Sequence, residues 1–311
     1  MNAAVTEHDA PIRPRRMSLA LLLSLGATGL GQVYCGRLGK GLALLLAGLA
    51  LFPALFLTAP LASGTALPLL LAAFLFAYLG LFFYALIDAA VLARRSSKAY
   101  ELKPFNQWWV YVLIMGLTVV CATSCTGYIR ADVVEPFNIP SASMAPAILP
   151  GDYVLCDKRA YVDGPPRRGD LVIFQNPNNR SMSMLKRIIA LPGDIIEVRS
   201  GRAWVNGQDL SQAATAEAVS IAEPVPAIQG LGVTERNGQA SYVVLVSEND
   251  GPGRDLAPFT VPNGHCFVLG DNRPESMDSR DFGPVPLSDL QGRVESIYLP
   301  AASWSRFGAI D

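Results

Sequence analysis

Charge is scarce in this chain of 311 residues: 16% are Asp, Glu, Lys or Arg, against 51% hydrophobic. That is too little charge for a purely soluble protein, so a membrane part is expected. The formal net charge is −1 and no Lys/Arg run exceeds two residues. Nucleic acid and other generally charged partners are therefore set aside. Histidine is nearly missing, with only His8 in a polar tail and His265 in "PNGHCF", a turn-to-strand piece where it reads as a strand-edge residue. A hydrolase built on a histidine base is therefore not the first expectation. The five cysteines (Cys35, Cys121, Cys125, Cys156, Cys266) are odd in number and lack metal-ligand spacing. Zinc is not expected, and no metal or organic cofactor is implied. Cys156 and Cys266 lie in strand-like segments, where a disulfide and buried free thiols are equally open readings.

The charge that does exist is grouped. Arg13, Arg15 and Arg16 close a polar tail of sixteen residues, and no Asp, Glu, Lys or Arg occurs between Gly41 and Ile87. That stretch is interrupted only by "PLASGTALP" (Pro60–Pro68), a turn between two helices, each about the ~20 residues a bilayer requires. A third charge-free run, Trp108–Tyr128, opens with two tryptophans suited to a membrane interface. The earlier apolar run Ser18–Gly36 is short and glycine-rich. Basic residues recur in the tail, at Arg37 and Lys40, and at Arg94, Arg95, Lys98 and Lys103. If all three clusters share the cytosolic side, residues 18–36 enter and leave on that side. Three spans plus a re-entrant or interfacial segment then deliver residue 129 onward outside. A cleavable leader is disfavoured, because the run lacks a small-residue cleavage site and further spans follow.

From Ile129 the texture changes to short β-rich segments such as "DLVIFQ", "YVVLVS" and "HCFVLGD", separated by Pro, Gly and Asn turns. The domains expected are a cytosolic tail (1–16), a membrane region (17–106), a last span (107–128) and a mainly β domain (129–311). An inserted β subdomain is expected at about 199–260, with a "VNGQ" hairpin turn.

Three polar constellations stand out in the β part. "IPSASMAPAILPGD" (Ile139–Asp152) holds Ser141 and Ser143 between prolines directly after the last apolar run. With histidine scarce, the base for a serine nucleophile would be a lysine, as in Ser-Lys variants. Lys186 in "SMSMLKRIIALPGD" sits among apolar neighbours; burial disfavours its ammonium form and lets it accept a proton at neutral pH. Taken alone, Lys186 and Arg187 also fit an exposed strand edge, and the serines fit an ordinary turn. The third segment, "GDNRPESMDSRDFGPV" (Gly270–Val285), packs acids, arginines and two serines into one loop.

Together these segments, with "RRGDLVIF" (Arg167–Phe174), resemble the type I signal peptidases, membrane-bound Ser-Lys endopeptidases that remove signal peptides from exported proteins. The resemblance spans roughly residues 108–300. It implies a helical membrane region followed by a signal-peptidase-like β domain on the outer face of a bacterial cytoplasmic membrane. Ser143 is then the nucleophile and Lys186 the general base, with Ser276 hydrogen-bonded to the lysine amine. Ser141 matches the hydroxyl that forms the oxyanion hole with the Ser143 N–H, and Asp278 and Arg280 match a structural ion pair. Cleavage after small residues at Ala-x-Ala type sites is implied, with a shallow apolar wall from Phe137, Ile139, Pro140, Met144, Ile148, Met184 and Leu185. The implied partners are signal-peptide-bearing preproteins and the lipid bilayer, with the secretion translocon as a further candidate. The sequence departs from the family pattern at Ala142, where glycine is usual, and at Pro274–Glu275. Alternatives are an inactive membrane-tethered peptide-binding module, a self-cleaving Ser-Lys protease of another lineage, and a transporter subunit, which would need intramembrane ionisable residues where only Asp88 qualifies.

Overall fold

A computed structural model of the chain describes residues 14–58, 66–96, 100–162, 164–212, 217–221, 228–247 and 255–310. The tail carrying His8 and Arg13, and most of the Pro60–Pro68 turn, lie outside the described residues. The chain divides into a helical unit that ends at Ile129 and a β-rich unit that follows from Arg130.

Three helices dominate the first unit: α3 (Leu38–Thr58), α4 (Ala66–Arg95) and α5 (Trp108–Tyr128). Each is long and apolar enough to cross a bilayer. Their outward faces carry Leu46, Leu69, Phe76, Leu113 and Val120, all exposed, which suits a hydrocarbon surround. Before them, α1 (Met17–Gly26) and α2 (Leu30–Tyr34) form a hairpin. Ten residues of helix rise only about 15 Å, half the thickness of the apolar layer.

The glycines of "GLGQVYCGRLGKG" let this hairpin approach α3 backbone to backbone. A Cβ on Gly29, whose φ is +104°, would lie 2.1 Å from the Gly41 carbonyl oxygen, and one on Gly41 would lie 2.5 Å from that of Gly29. The hairpin starts and finishes at one end of the unit. The Arg16 N–H donates to Tyr34 Oη (3.1 Å), Lys103 Nζ to the Gly36 carbonyl (3.1 Å) and Asn106 Nδ2 to that of Val33 (3.1 Å). The Arg15 N–H donates to the Ser96 carbonyl (3.3 Å). These bonds bring Arg15, Arg16 and Lys103 to one end of the unit. Asp88 is engaged by Lys40 (2.7 Å) and by Gln32 Nε2 (3.2 Å).

The second unit contains fifteen strands among the described residues: β1 (Val134–Asn138), β2 (Tyr153–Asp157), β3 (Leu171–Asn176), β4 (Asn179–Ala190), β5 (Ile195–Arg199), β6 (Arg202–Val205), β7 (Gln208–Asp209), β8 (Glu217–Ile221), β9 (Ile228–Asn237), β10 (Ala240–Val246), β11 (Leu256–Thr260), β12 (His265–Leu269), β13 (Val285–Pro286), β14 (Leu290–Leu299) and β15 (Gly308–Ala309). One short helix, α6 (Ser279–Phe282), follows the loop after β12. The main sheet has eight strands in the order β1-β2-β14-β3-β4-β12-β13, with β15 beside β14. β3 is buried along almost its whole length, which is why "LVIF" reads as a continuous apolar run rather than an alternating one.

Two smaller sheets, β11-β5-β6-β7 and β10-β9-β8, occupy the region expected as an insertion. They do not stand apart. Ile196, Val198, Val233, Val244 and Val246 share one core with Ile189 and Ala190 of β4 and with Phe267 and Leu269 of β12. The four-stranded sheet also recruits β5, which begins at Ile195, before the expected boundary.

All five cysteines are free thiols. Cys156 and Cys266 lie in different core clusters, and burial pushes each thiol up to about 12. Neither should react with a maleimide in the folded protein at neutral pH, and both should label in guanidinium, as read by peptide mass spectrometry. A reductant-sensitive cross-link between the Cys156 and Cys266 peptides would contradict this arrangement.

Candidate active site

The segment after β1 is closed into a loop by its own backbone. The Ile139 N–H donates to the Asp152 carbonyl (2.9 Å) and the Gly151 N–H to that of Ile139 (2.7 Å). The Asp152 carboxylate, fully buried, accepts from the Leu149 N–H (2.8 Å), the Ala301 N–H (2.8 Å) and Arg306 Nη2 (2.9 Å). Met144, Ala145 and Ile148 are completely buried inside the loop. Ser143 therefore sits on backbone with little freedom to move.

β4 carries Lys186 to this serine. Lys186 Nζ lies 2.8 Å from Ser143 Oγ, and Ser143 Oγ lies 3.1 Å from Ser141 Oγ. Lys186 is 3% exposed. Burial pushes its amine down from the ordinary 10.5 to about 8, against the pull of Asp278 and Asp271. Two carboxylates this close would normally hold a lysine charged. Here each is already committed to an arginine. Arg187 grips Asp271 through Nε (2.8 Å) and Nη2 (2.7 Å), and Arg280 grips Asp278 through Nε (2.8 Å) and Nη2 (2.9 Å). Bidentate pairing spends most of each carboxylate's field on its own guanidinium, and desolvation of the amine prevails.

The loop after β12 is fastened to the serine segment. The Asn272 N–H donates to the Ser143 carbonyl (3.1 Å) and its Nδ2 to that of Ala142 (3.2 Å). Gly270 fits between the two serines: a Cβ there would lie 2.1 Å from Ser276 Oγ and 2.5 Å from the Ser143 carbonyl oxygen. Ser276 is buried, and its hydroxyl hydrogen-bonds the Asp278 carboxylate, helping to hold that acid below its usual range. Arg273, fully buried, donates to the Gly270 carbonyl (3.0 Å) and to Glu235 of β9 (2.9 and 2.6 Å). The Tyr242 ring of β10 lies 4.0 Å from the Arg187 guanidinium carbon.

Of the residues singled out from the sequence, the structure brings together Ser141, Ser143 and Lys186, and joins Asp278 to Arg280. Ser276 lies beside Asp278. Phe137, Ile139, Met144, Ile148 and Leu185 share one apolar cluster, while Pro140 is exposed. Met184 is not among them; it packs with Val172, Phe174, Ile188 and Cys266. His265 Nδ1 contacts the Asn263 carbonyl (3.0 Å) at the start of β12. Asp152, Asp271, Arg273, Glu235 and Tyr242 were not singled out. Their partners Arg306, Arg187, Glu235 and Arg273 are dozens of residues away in the chain, and no local pattern pointed to these pairings.

The sequence model of the family described as "Signal peptidase, peptidase S26" matches residues 108–299. The chain belongs to this family. A signal peptidase I from Pseudomonas aeruginosa is 33% identical over 180 residues, covering 53% of this chain and 62% of that one. The chain thus spans less than two thirds of that relative. A probable signal peptidase I from Synechocystis is 33% identical over 209 residues, covering 65% of this chain and 78% of that protein. A solved signal peptidase I from Enterococcus faecalis is 32% identical, covering 42% of this chain and 96% of that one, with a TM-score of 0.27. The family match begins at α5, so the helices before it lie outside it.

Two outcomes test the electrostatic account. In the Arg280→Gln variant the Asp278 field is released toward the amine, so the Lys186 titration, followed by NMR of labelled lysine, should move above the wild-type value of about 8. A lysine with a depressed value in the folded state destabilises the fold wherever it is forced to be charged. That cost is present below about pH 8 and fades as pH approaches 10.5. Lys186→Met should therefore raise stability at pH 7 by roughly 1–3 kcal/mol, and the gain should shrink between pH 8 and 10.5 in thermal unfolding.

Proposed function

We propose that the chain is a membrane-bound serine endopeptidase that removes N-terminal signal peptides from exported preproteins with a Ser143–Lys186 dyad. The observation that carries this reading is a lysine amine with a value of about 8, 2.8 Å from a serine hydroxyl. At neutral pH about a tenth of such an amine is unprotonated, against less than about one part in a thousand for an exposed lysine. Neutral Nζ accepts the Ser143 proton as Oγ attacks the scissile carbonyl carbon. The Ser141 hydroxyl and the Ser143 N–H stabilise the oxyanion, each such donor lowering the barrier by about 3 kcal/mol. The ammonium then returns its proton to the departing amine, which becomes the amino terminus of the mature protein. Water, deprotonated by the same lysine, hydrolyses the acyl-enzyme and frees the signal peptide as an acid.

Ser276 and the Asp278–Arg280 pair act as positioning groups beneath the amine. Binding of an extended substrate is supported by β1, an end strand of the main sheet that runs directly into the serine segment. Phe137, Ile139, Pro140 and Leu185 form the wall for small side chains of an Ala-x-Ala site, with Met144 and Ile148 as its buried floor. The three apolar helices support a multi-pass protein of the bacterial inner membrane. The basic end then faces the cytosol and the β domain the outer side, where preproteins emerge from the translocon. A binding module that does not cut would have no use for a desolvated amine on a serine.

Incubation of the purified protein with a precursor bearing an Ala-x-Ala site tests this. Wild type should cleave, and Ser143→Ala, Lys186→Ala and Lys186→Arg should not. Ser141→Ala should be slower by about 100-fold, and His265→Ala close to wild type. The rate should climb about tenfold per pH unit and level off near pH 8. Full activity of Lys186→Ala, or loss of activity in His265→Ala, would overturn the assignment.

A further inference from the structure

The helices ahead of the family match hold a cation whose surroundings are unusual. Arg15 is 8% exposed, and its guanidinium carbon lies 4.3 Å from the Tyr34 ring centre and 4.4 Å from that of Tyr100. Its Nε and Nη2 are buried and find no acceptor among the described residues. Both rings are held from behind. Tyr34 Oη accepts from the Arg16 N–H (3.1 Å), and Tyr100 Oη donates to Asn106 Oδ1 (2.7 Å). Gly36 leaves room for Tyr100, since a Cβ there would lie 2.2 Å from its hydroxyl oxygen. The rings flank the guanidinium through their faces and give it no oxygen.

A buried guanidinium is expected to be paired, and Nε with Nη2 form the fork that matches two oxygens of one anion. Among the described residues the acids nearby do not fill that role: Asp88 is engaged by Lys40 and Gln32, and Glu101 is exposed. The surrounding charge is positive. Arg16 and Arg37 are exposed, Lys103 points its amine at Gly36, and Arg94 and Arg95 end α4. Helix α1 starts beside Arg15 with no side-chain cap and no acid in its first turn. The site lies at the charged end of membrane-length helices, at the height of lipid headgroups.

We propose that Arg15, caged between Tyr34 and Tyr100, is a binding site for a phosphate group, with its Nε and Nη2 donating to two phosphate oxygens. The phosphodiester of an anionic lipid is the ligand this location favours, and Arg16, Arg37 and Lys103 supply the field that draws it in. Occupied, the site ties the start of the helical hairpin, the end of α4 and the segment before α5 to one headgroup.

The test uses the full chain in nanodiscs of phosphatidylcholine doped with phosphatidylglycerol, with bound lipid counted by native mass spectrometry after gentle release. Wild type should retain phosphatidylglycerol in preference to phosphatidylcholine, and Arg15→Gln should retain about tenfold less. Arg15→Lys keeps a cation between the rings but loses the fork, and should fall between the two. An unchanged helical circular-dichroism signal and thermal unfolding curve in both variants show that they are folded. A competing arm adds inorganic phosphate: displacement of the lipid at millimolar phosphate supports the site and assigns it to free phosphate, while resistance assigns it to the lipid. Equal retention of phosphatidylglycerol by wild type and both variants, with no response to phosphate, would overturn the proposal.

Discussion

An amine kept out of water beside a hydroxyl is the constraint around which the β-rich unit is arranged. Lys186 cannot give up its proton near neutral pH unless nearby acids are silenced, and nearby acids are needed to fasten the loop that closes over it. The structure meets both demands with arginines. Asp271 and Asp278 are each clasped bidentately, so they fasten the loop without holding the amine at its ordinary 10.5. Removing the acids and arginines together would leave the amine neutral but its neighbours unanchored.

The same loop shows why the smaller sheets matter. Arg273 reaches from the loop to Glu235 on β9, a pair with no exposed side-chain surface, and Tyr242 on β10 covers Arg187. The region with the texture of an insertion thus supplies the far side of the clamp. Its apolar core is shared with β4 and β12, the strands that carry the lysine and lead into the loop.

Much of this was legible in the chain because the decisive chemistry is local. Ser141 and Ser143 lie two residues apart, Lys186 stands in an apolar run, and Asp278 and Arg280 share one loop; each segment alone fits an ordinary turn or edge, and their combination and the family they resemble give them meaning. The long helices were legible for a different reason: a stretch of some twenty residues without charge is suited to hydrocarbon and to little else. What escaped were partnerships across distance. Glu235 finds Arg273 thirty-eight positions away, and Asp152 finds Arg306 one hundred and fifty-four away; periodicity says nothing about such pairs. Met184 is a different lesson, since neighbours on a strand face opposite ways, and Met184 and Leu185 therefore could not line one wall.

The hairpin of α1 and α2 carries a consequence for the topology of the whole chain. Because it returns to the end where it began, it would add no crossing to those of the three helices that, among the described residues, are long and apolar enough to traverse a bilayer. Were all three to cross, the segment before α1 and the segment after α5 would face opposite sides of the bilayer, whichever way the unit is inserted. The close approach of Gly29 and Gly41 thus bears on parity: were the hairpin to straighten into a fourth traverse, the segments flanking the helical unit would face the same side.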